Sequence, residues 1–317
     1  MTANFQKKRP RTSRVGVAVL TLLAVTVIGL FIKNSALAAE CVRHALSSCV
    51  NTVIPAVFPC SVASGIFISV GGGNIVGRLL RAPMKFLFGA SGSGACVLLI
   101  GWLCGFPTGA VTGAALARRG ELGRDELERL ILFSSIPSPA FVIFAVGEGM
   151  LGDRRLGIIL WLALFISSVT VGLLIHAVSK RELCPAEPVP VGRGLIASVC
   201  DSLQSSAIAM LNLCAGVVFF SVLTRLLSDT LCGILYSPFL RAAFTGLFEI
   251  SGGCAAAASL ASPLSPALCG VILGWSGFCV HFQIISALGG MKRLFSYLLA
   301  KSVQGILCGF LVAAFTL

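Results

Sequence analysis

A histidine and a glutamine stand out in an otherwise apolar stretch near the end of the chain. The residues Trp275-Ser-Gly277 interrupt that stretch, and His281 and Gln283 follow shortly after the interruption. An imidazole can donate a hydrogen bond to a carboxylate, and a glutamine amide both donates and accepts. We expect both side chains to line a polar site beside the interruption. The alternative for a lone buried histidine is a hydrogen bond to a nearby carbonyl.

One carboxylate stands apart from all other charges. Glu249 lies in a stretch rich in Gly and Ala, with no other charged residue between Arg241 and Lys292. A carboxylate inside a membrane is costly unless it is paired or protonated, so it marks a functional site by default. The sequence therefore predicts a functional role for Glu249 as a coupling or gating group. The alternatives are a position at the water interface or a pair with Arg241.

Two further apolar stretches are interrupted. Gly105-Phe-Pro-Thr-Gly109 splits the first, and Ser134-Ser-Ile-Pro-Ser-Pro139 splits the second. Backbone polar groups in lipid must find partners, so such breaks are tolerable only inside protein or beside water. Free N–H groups at the start of a half-helix also attract anions. The alternatives are a kink that eases helix packing and, for Ser134 and Ser135, hydroxyls that satisfy freed carbonyls.

Asn212, in the middle of a long apolar segment, is either a helix contact or a cavity residue. The candidate substrate-binding residues are Gly105, Phe106, Pro107, Thr108, Gly109, Ser134, Ser135, Asn212, Glu249, Ser276, Gly277, His281 and Gln283.

Enzymatic chemistry is not expected. The residues around Ser276 lack the second glycine of a nucleophile elbow. The thirteen cysteines are scattered singly, without metal-binding spacing. A phosphate-binding loop with a lysine is absent from the sequence. We therefore expect no catalytic residues, no metal and no cofactor.

Composition places the chain in a membrane. Hydrophobic residues make up 56% of its 317 residues and charged residues only 11%, against about 25% charged in a typical soluble domain. Apolar runs such as Val15–Ile32, Leu156–Val178 and Ala207–Leu223 are long enough to span a bilayer. The formal charge of +12 comes from basic residues in short loops, which set topology. No nucleic-acid partner is expected.

The two parts of the chain resemble each other weakly. His44–Phe67 is similar in pattern to Asp201–Leu227, and Ile100–Ala110 is similar to Leu273–Gln283. Repeats with breaks at matching positions are typical of secondary transporters. The predicted organisation is a basic tail and uncleaved first transmembrane helix (1–39, with a cleaved signal peptide as the alternative), a first repeat with a linking helix (40–179), a cytoplasmic loop (180–193) and a second repeat (194–317).

Basic residues also predict the topology. They concentrate on the cytoplasmic side if Gly105–Gly109 and Trp275–Gly277 are both tips of re-entrant hairpins. The expected fold is all-α, with about six transmembrane helices and two re-entrant hairpins in inverted repeats. In this arrangement Lys292 and Arg293 lie outside. The charged segment Arg118–Arg129 is expected to form a solvated, cytoplasmic helix start.

Five short motifs resemble, in order, the YlbJ family of sporulation integral membrane proteins: VIPAVFP, GFPTGA, AVGEGMLGD, LFEISGG and GWSGFCVHFQ. The resemblance implies a Gate domain of the nucleoside-recognition type, with re-entrant hairpins at the substrate site. It also implies movement of dipicolinic acid across the outer forespore membrane. The turn that begins at Ser134 departs from the family, because hydroxyls stand where asparagines are usual. The matching positions are Gly105, Pro107, Gly109, Glu249, Gly277, His281 and Gln283.

The expected function is therefore transport of a small anionic or heterocyclic solute, with dipicolinate as the implied substrate. The alternative is a scaffold that organises a sporulation complex without moving a solute. The expected partners are the solute and the lipid bilayer of the cell membrane, together with further copies of the chain or sporulation membrane proteins.

Overall fold

The computed structural model describes residues 14–178, 195–231 and 236–316. Every element in these ranges is a helix. Four helices are long and apolar enough to cross a membrane, and there are up to six if each of two bent pairs forms one span. The predicted all-α polytopic class is confirmed. The tail before residue 14 and the predicted loop 180–193 lie outside the described residues.

The first half begins with a long helical run. An apolar helix, α1, is bent by 94° relative to the next helix. The following helices then pack against the second half through small residues, as at Gly65, where a Cβ would lie 2.9 Å from the Ser202 side chain. The helices are α1 (Arg14–Lys33), α2 (Ser35–Ser48), a π-helical turn (Cys49–Val53), α3 (Ile54–Ser69), α4 (Gly72–Leu79) and α5 (Arg81–Phe88).

A re-entrant hairpin follows. Helices α6 (Gly94–Leu103) and α7 (Thr108–Arg118) pack side by side. A Cβ at Gly109 would lie 2.7 Å from the Cα of Gly101, and one at Gly113 would lie 3.2 Å from the Val97 side chain. These contacts pair the two arms in antiparallel order, so the chain turns back at Gly105. The first predicted hairpin is present.

An interrupted helix then runs alongside the hairpin and beyond it. Helix α8 (Arg124–Ser134) stops at the break Ser135–Pro139, and a π-helical segment (Phe141–Met150) continues. The long helix α9 (Arg154–Val178) returns along both parts. It contacts the π-helical segment through Gly147 and Gly157, where a Cβ at Gly147 would lie 2.3 Å from the Gly157 Cα.

The second half repeats this order. It contains α10 (Leu195–Thr230), α11 (Pro238–Phe248), α12 (Ile250–Ala258), α13 (Ser265–Trp275), α14 (Gly277–Ala287) and α15 (Leu294–Thr316). Helices α11 and α12 form a second hairpin, since a Cβ at Gly253 would lie 2.3 Å from the Gly246 Cα. Helices α13 and α14 form an interrupted helix, and α15 packs on α13, where a Cβ at Gly274 would lie 2.6 Å from the Gly305 Cα.

The prediction that Trp275–Gly277 is the tip of the second hairpin is wrong. The chain continues through this break, and the 23-residue segment Ser265–Ala287 is long and apolar enough to be one membrane span. The tip of the second hairpin is Glu249 instead, between α11 and α12. The break at Gly105 therefore corresponds to Glu249, and the break at Ser135–Pro139 corresponds to Trp275–Gly277.

The predicted positions of the charges near residues 120 and 290 also need correction. Glu126, Glu128 and Arg129 are buried rather than solvated. Arg124 forms an ion pair with Glu128 at 3.0 Å and donates to the carbonyl of Leu288 at 2.6 Å. The other carboxylate oxygen of Glu128 accepts from the backbone N–H groups of Lys292 and Arg293 at 3.0 and 3.3 Å. These contacts place Lys292 and Arg293 at the same end of the molecule as Arg118–Arg129, which we call the basic end.

This placement predicts a labelling pattern. In a background without native cysteines, we expect Arg118→Cys and Lys292→Cys to react with a membrane-impermeant maleimide from the same side. Arg155→Cys, in the first turn of α9 at the other end, is expected to react only from the opposite side. All three side chains are exposed. Labelling of Arg118→Cys and Lys292→Cys from opposite sides would contradict the arrangement.

Candidate functional site

Both hairpin tips and both interrupted helices meet around one internal cavity. The cavity itself holds about 60 Å³, within about 570 Å³ of empty space that includes its opening. The two halves of the chain both contribute to its wall, which is mostly apolar with a few polar groups. The lining residues are Val53, Val57, Cys104, Phe106, Pro137, Ser138, Phe141, Leu213, Val217, Glu249, Ile250, Ser251, Cys279, Val280 and Gln283.

The tip of the first hairpin is fixed against the break of its own half. The backbone N–H of Phe106 donates to the carbonyl of Ile136 at 3.2 Å. Gly105 has φ 76°, and a Cβ there would lie 2.6 Å from the backbone nitrogen of Ser138. Only glycine fits this conformation and this approach. The result is that the Phe106 side chain lines the cavity.

The tip of the second hairpin is a single extended residue. Glu249 has φ −140° and ψ 128°, and its side chain caps α12. The two carboxylate oxygens accept from the N–H groups of Ser251 and Gly252 at 2.8 and 2.5 Å. A carboxylate is favoured at a helix N-terminus by its N–H donors and dipole. Glu249 therefore occupies two N–H donors at the start of α12, and these donors are not free to bind a solute anion.

A second, polar cleft leads from the basic end to the first hairpin. It contains about 1480 Å³ of empty space, including its opening. Arg118, Arg119 and Glu121 lie at the end of α7, and Thr108 lies near the hairpin tip. Burial raises the pKa of the Glu121 carboxyl, and the nearby Arg119 opposes that rise. We call this cleft the vestibule, and its hydroxyl-bearing residues are Ser61, Ser69, Thr108, Thr112, Ser198, Ser202, Ser205 and Ser206.

Four predicted site residues lie at these openings. Phe106, Glu249 and Gln283 line the cavity, and Thr108 lines the vestibule. The hydroxyl of Thr108 and the amide oxygen of Gln283 are buried without a hydrogen-bond partner. The Gln283 amide nitrogen donates to the sulfur of Cys279 at 3.1 Å. Unpartnered polar atoms beside a cavity are suited to binding a polar solute.

Other predicted residues hold the backbone together instead of lining the cavity. Gly109 packs against Gly101, and a Cβ at Gly277 would lie 3.0 Å from the carbonyl oxygen of Phe248. Pro107 immediately precedes α7. The Ser276 hydroxyl donates to its own helix at Leu273, as a structural serine does.

The remaining predicted polar residues fall into three environments. Asn212 is exposed on α10, so it neither lines the cavity nor forms a buried helix contact. The Ser134 hydroxyl is buried without a hydrogen-bond partner. The Ser135 carbonyl accepts from the side chain of Lys301 at 2.8 Å. His281 is also buried, and it lies outside the cavity wall.

His281 belongs to an aromatic group behind the second break. Its Nδ1 lies 2.9 Å from the hydroxyl of Tyr297, and its ring is 4.5 Å from the Trp275 ring, edge to face. Its Nε2 is buried without a partner. The histidine therefore connects α14 to α15 and does not contact a solute in this conformation.

Sequence reasoning missed the polar face of α10 and the role of Lys301. The serines of α10 recur at helical spacing, which is a visible amphipathic signal. Lys301 is a charged residue inside the last apolar span, and the rule that singled out Glu249 applies to it as well.

Comparison with known proteins finds a similar membrane protein. No protein-family model matches the chain, and no solved structure matches it. The chain is 29% identical, over 308 residues, to the sporulation integral membrane protein YlbJ of Bacillus subtilis (strain 168). The match covers 84% of this chain and 74% of that relative. With the helical membrane fold described above, this match confirms the predicted resemblance to the YlbJ family of sporulation integral membrane proteins.

Proposed function

We propose that this protein is a transporter that moves a small anionic or heterocyclic solute across a membrane. The observation that carries the proposal is the cavity between both hairpin tips and both interrupted helices. Interrupted backbone at membrane depth is tolerated where it lines a cavity. Sites between related halves built from broken helices are typical of secondary transporters.

The first hairpin separates the cavity from the vestibule. Phe106 faces the cavity, while Thr108, two residues later, faces the vestibule. A solute entering from the basic end would meet Arg118, Arg119 and the serine hydroxyls before reaching the tip. Movement of the tip would then open the cavity to the vestibule, which is a gating step of the hinge type.

The walls favour a particular class of solute. Phe106, Phe141 and the aliphatic lining suit a planar ring, and Gln283 and Ser138 offer hydrogen bonds. Glu249 disfavours a solute carboxylate beside it, since like charges repel. The anionic groups are therefore expected to face the vestibule. Dipicolinate, a planar ring with two carboxylates, fits this description.

The relative supports a biological setting. YlbJ of Bacillus subtilis is a sporulation integral membrane protein. The proposal places this chain in the cell membrane of a spore-forming cell, at the outer forespore membrane, with dipicolinate as its solute.

Filling the cavity tests this function. We expect Val217→Trp to abolish uptake of radiolabelled dipicolinate into proteoliposomes, because the indole occupies the cavity. Thermal unfolding of the purified variant checks that it is folded. The matched control is Leu211→Trp on the same helix, where the side chain is 72% exposed and points away from the protein.

Two results would contradict the proposal. Wild-type flux in folded Val217→Trp would show that the cavity is not the pathway. Absence of any flux through folded wild-type protein, with sporulation proteins retained on it, would favour the scaffold alternative.

A further inference from the structure

Lys301 is a fully buried lysine in the last helix of the fold. The side chains of Lys301 and Gln304 are both fully buried in α15. The ammonium donates to the carbonyl of Ser135 at 2.8 Å and to Oε1 of Gln304 at 2.9 Å. Among the described residues, no carboxylate forms an ion pair with it. A buried charge of this kind needs a compensating partner.

The partner is the carbonyl end of an interrupted helix. Ser135 directly follows α8, and the last carbonyls of a helix carry partial negative charge. Carbonyls at the ends of half-helices are where transporters bind coupling cations. Lys301 reaches this position from the other half of the chain.

The four consecutive carbonyls from Phe133 to Ile136, at the end of α8 and in the break, each have a partner. The hydroxyl of Ser168 donates to the carbonyl of Phe133 at 2.6 Å, and the N–H of Ile136 donates to the carbonyl of Ser134 at 3.1 Å. The Lys301 side chain donates to the carbonyl of Ser135, and the N–H of Phe106 donates to the carbonyl of Ile136 at 3.2 Å. These four carbonyls therefore have donors without a mobile ion, and among their donors in the described residues Lys301 is the one that can carry a positive charge.

We propose that the Lys301 ammonium is a built-in replacement for a monovalent cation at this break. Removing its side chain would leave Ser135 O and Gln304 Oε1 as ligands for a free cation. With the lysine present, the break needs neither Na⁺ nor K⁺. Solute flux should therefore not depend on Na⁺ or K⁺, and this expectation rests on the proposed transport function. The expectation that Lys301→Ala binds a cation does not rest on that function.

Thermal unfolding of the full chain in detergent tests the ion site without any transport assay. We expect the wild type to have the same Tm in sodium, potassium and choline chloride at equal ionic strength. We expect Lys301→Ala to have a Tm lower by roughly 5 °C or more in choline. Methylammonium or Na⁺ should restore part of that loss with a saturable concentration dependence.

Two control variants make the result specific. Lys301→Met fills the space without charge or donors, so we expect a lowered Tm that no cation restores. Lys292→Ala removes an exposed lysine near the start of the same helix and is expected to show neither a loss nor a cation response.

The outcomes are separable. A saturable Na⁺ or K⁺ stabilisation of the wild type would overturn the proposal, and this measurement stands even if the variants do not fold. Equal cation responses of Lys301→Ala and Lys301→Met would also overturn it. Wild-type dipicolinate flux that requires Na⁺ would contradict the consequence for transport. Absence of flux in every buffer would instead count against the proposed function alone.

Discussion

A Gly253→Val variant is expected to yield no stably folded protein. The reason is the closeness of the two arms of the second hairpin: a Cβ at position 253 would lie 2.3 Å from the Cα and 2.6 Å from the nitrogen of Gly246. Both of these Gly246 atoms belong to the backbone, so they cannot move away by a side-chain rotation. Helices α11 and α12 would have to separate. Size-exclusion chromatography and thermal unfolding of the purified protein measure the effect.

The control for this prediction makes the same change where space is open. A Cβ at Gly29, on α1, would have no atom within 4 Å. We expect Gly29→Val to keep the wild-type Tm. A folded Gly253→Val protein with the wild-type Tm would show that α11 and α12 do not pack as a hairpin.

The second hairpin also shows where sequence reasoning reaches its limit. The membrane class and the first hairpin could be predicted, because apolar length and the Gly/Pro break are local signals. The turn at Glu249 carries no such signal. It is made by one extended residue between Phe248 and Ile250, without Pro or Gly at the turn itself. The sequence instead predicts the tip of the second hairpin at the more visible break, where Ser276 and Gly277 both have positive φ.

Long-range partners explain the other differences. The segment Arg118–Arg129 contains alternating acids and bases, a pattern typical of a solvated helix. Glu128 is nevertheless fully buried, because Arg124 and the backbone of Lys292 satisfy its carboxylate. The backbone partner lies more than 160 positions away in the chain. No local pattern could indicate that contact.

The cavity was predictable as a class of site, but its residues were only partly predictable. Glu249 was found because a lone carboxylate in an apolar stretch is costly at any position. Asn212 and Leu213 are neighbours on α10, yet only Leu213 lines the cavity. The part of α10 around these two residues is apolar on nearly all sides, so its sequence does not show which face meets a neighbour.

Glu249→Gln is expected to abolish solute flux and to lower the Tm by roughly 2–8 °C. The carboxylate accepts from two N–H groups, at Ser251 and Gly252, with one oxygen for each. A glutamine has one acceptor oxygen, so one buried N–H faces an amide donor instead. An unsatisfied buried donor costs about 1–3 kcal/mol. The tip, which lines the cavity, is then less firmly held. Proteoliposome uptake and thermal unfolding measure the two effects, with the exposed Glu40→Gln as the charge-matched control.

Glu249→Asp separates the two roles that a carboxylate can have at this tip. Aspartate is a preferred N-cap, so its shorter side chain is expected to hold the start of α12 and to keep the Tm close to that of the wild type. It keeps the charge but withdraws it from the cavity. In the proposed arrangement the solute's anionic groups face the vestibule, so this withdrawal removes no contact with them. We therefore expect Glu249→Asp to retain measurable flux while Glu249→Gln has none. Equal loss of flux in both variants, with the Tm of Glu249→Asp unchanged, would instead mean that the carboxylate must reach into the cavity, where it would act on the solute or a proton directly.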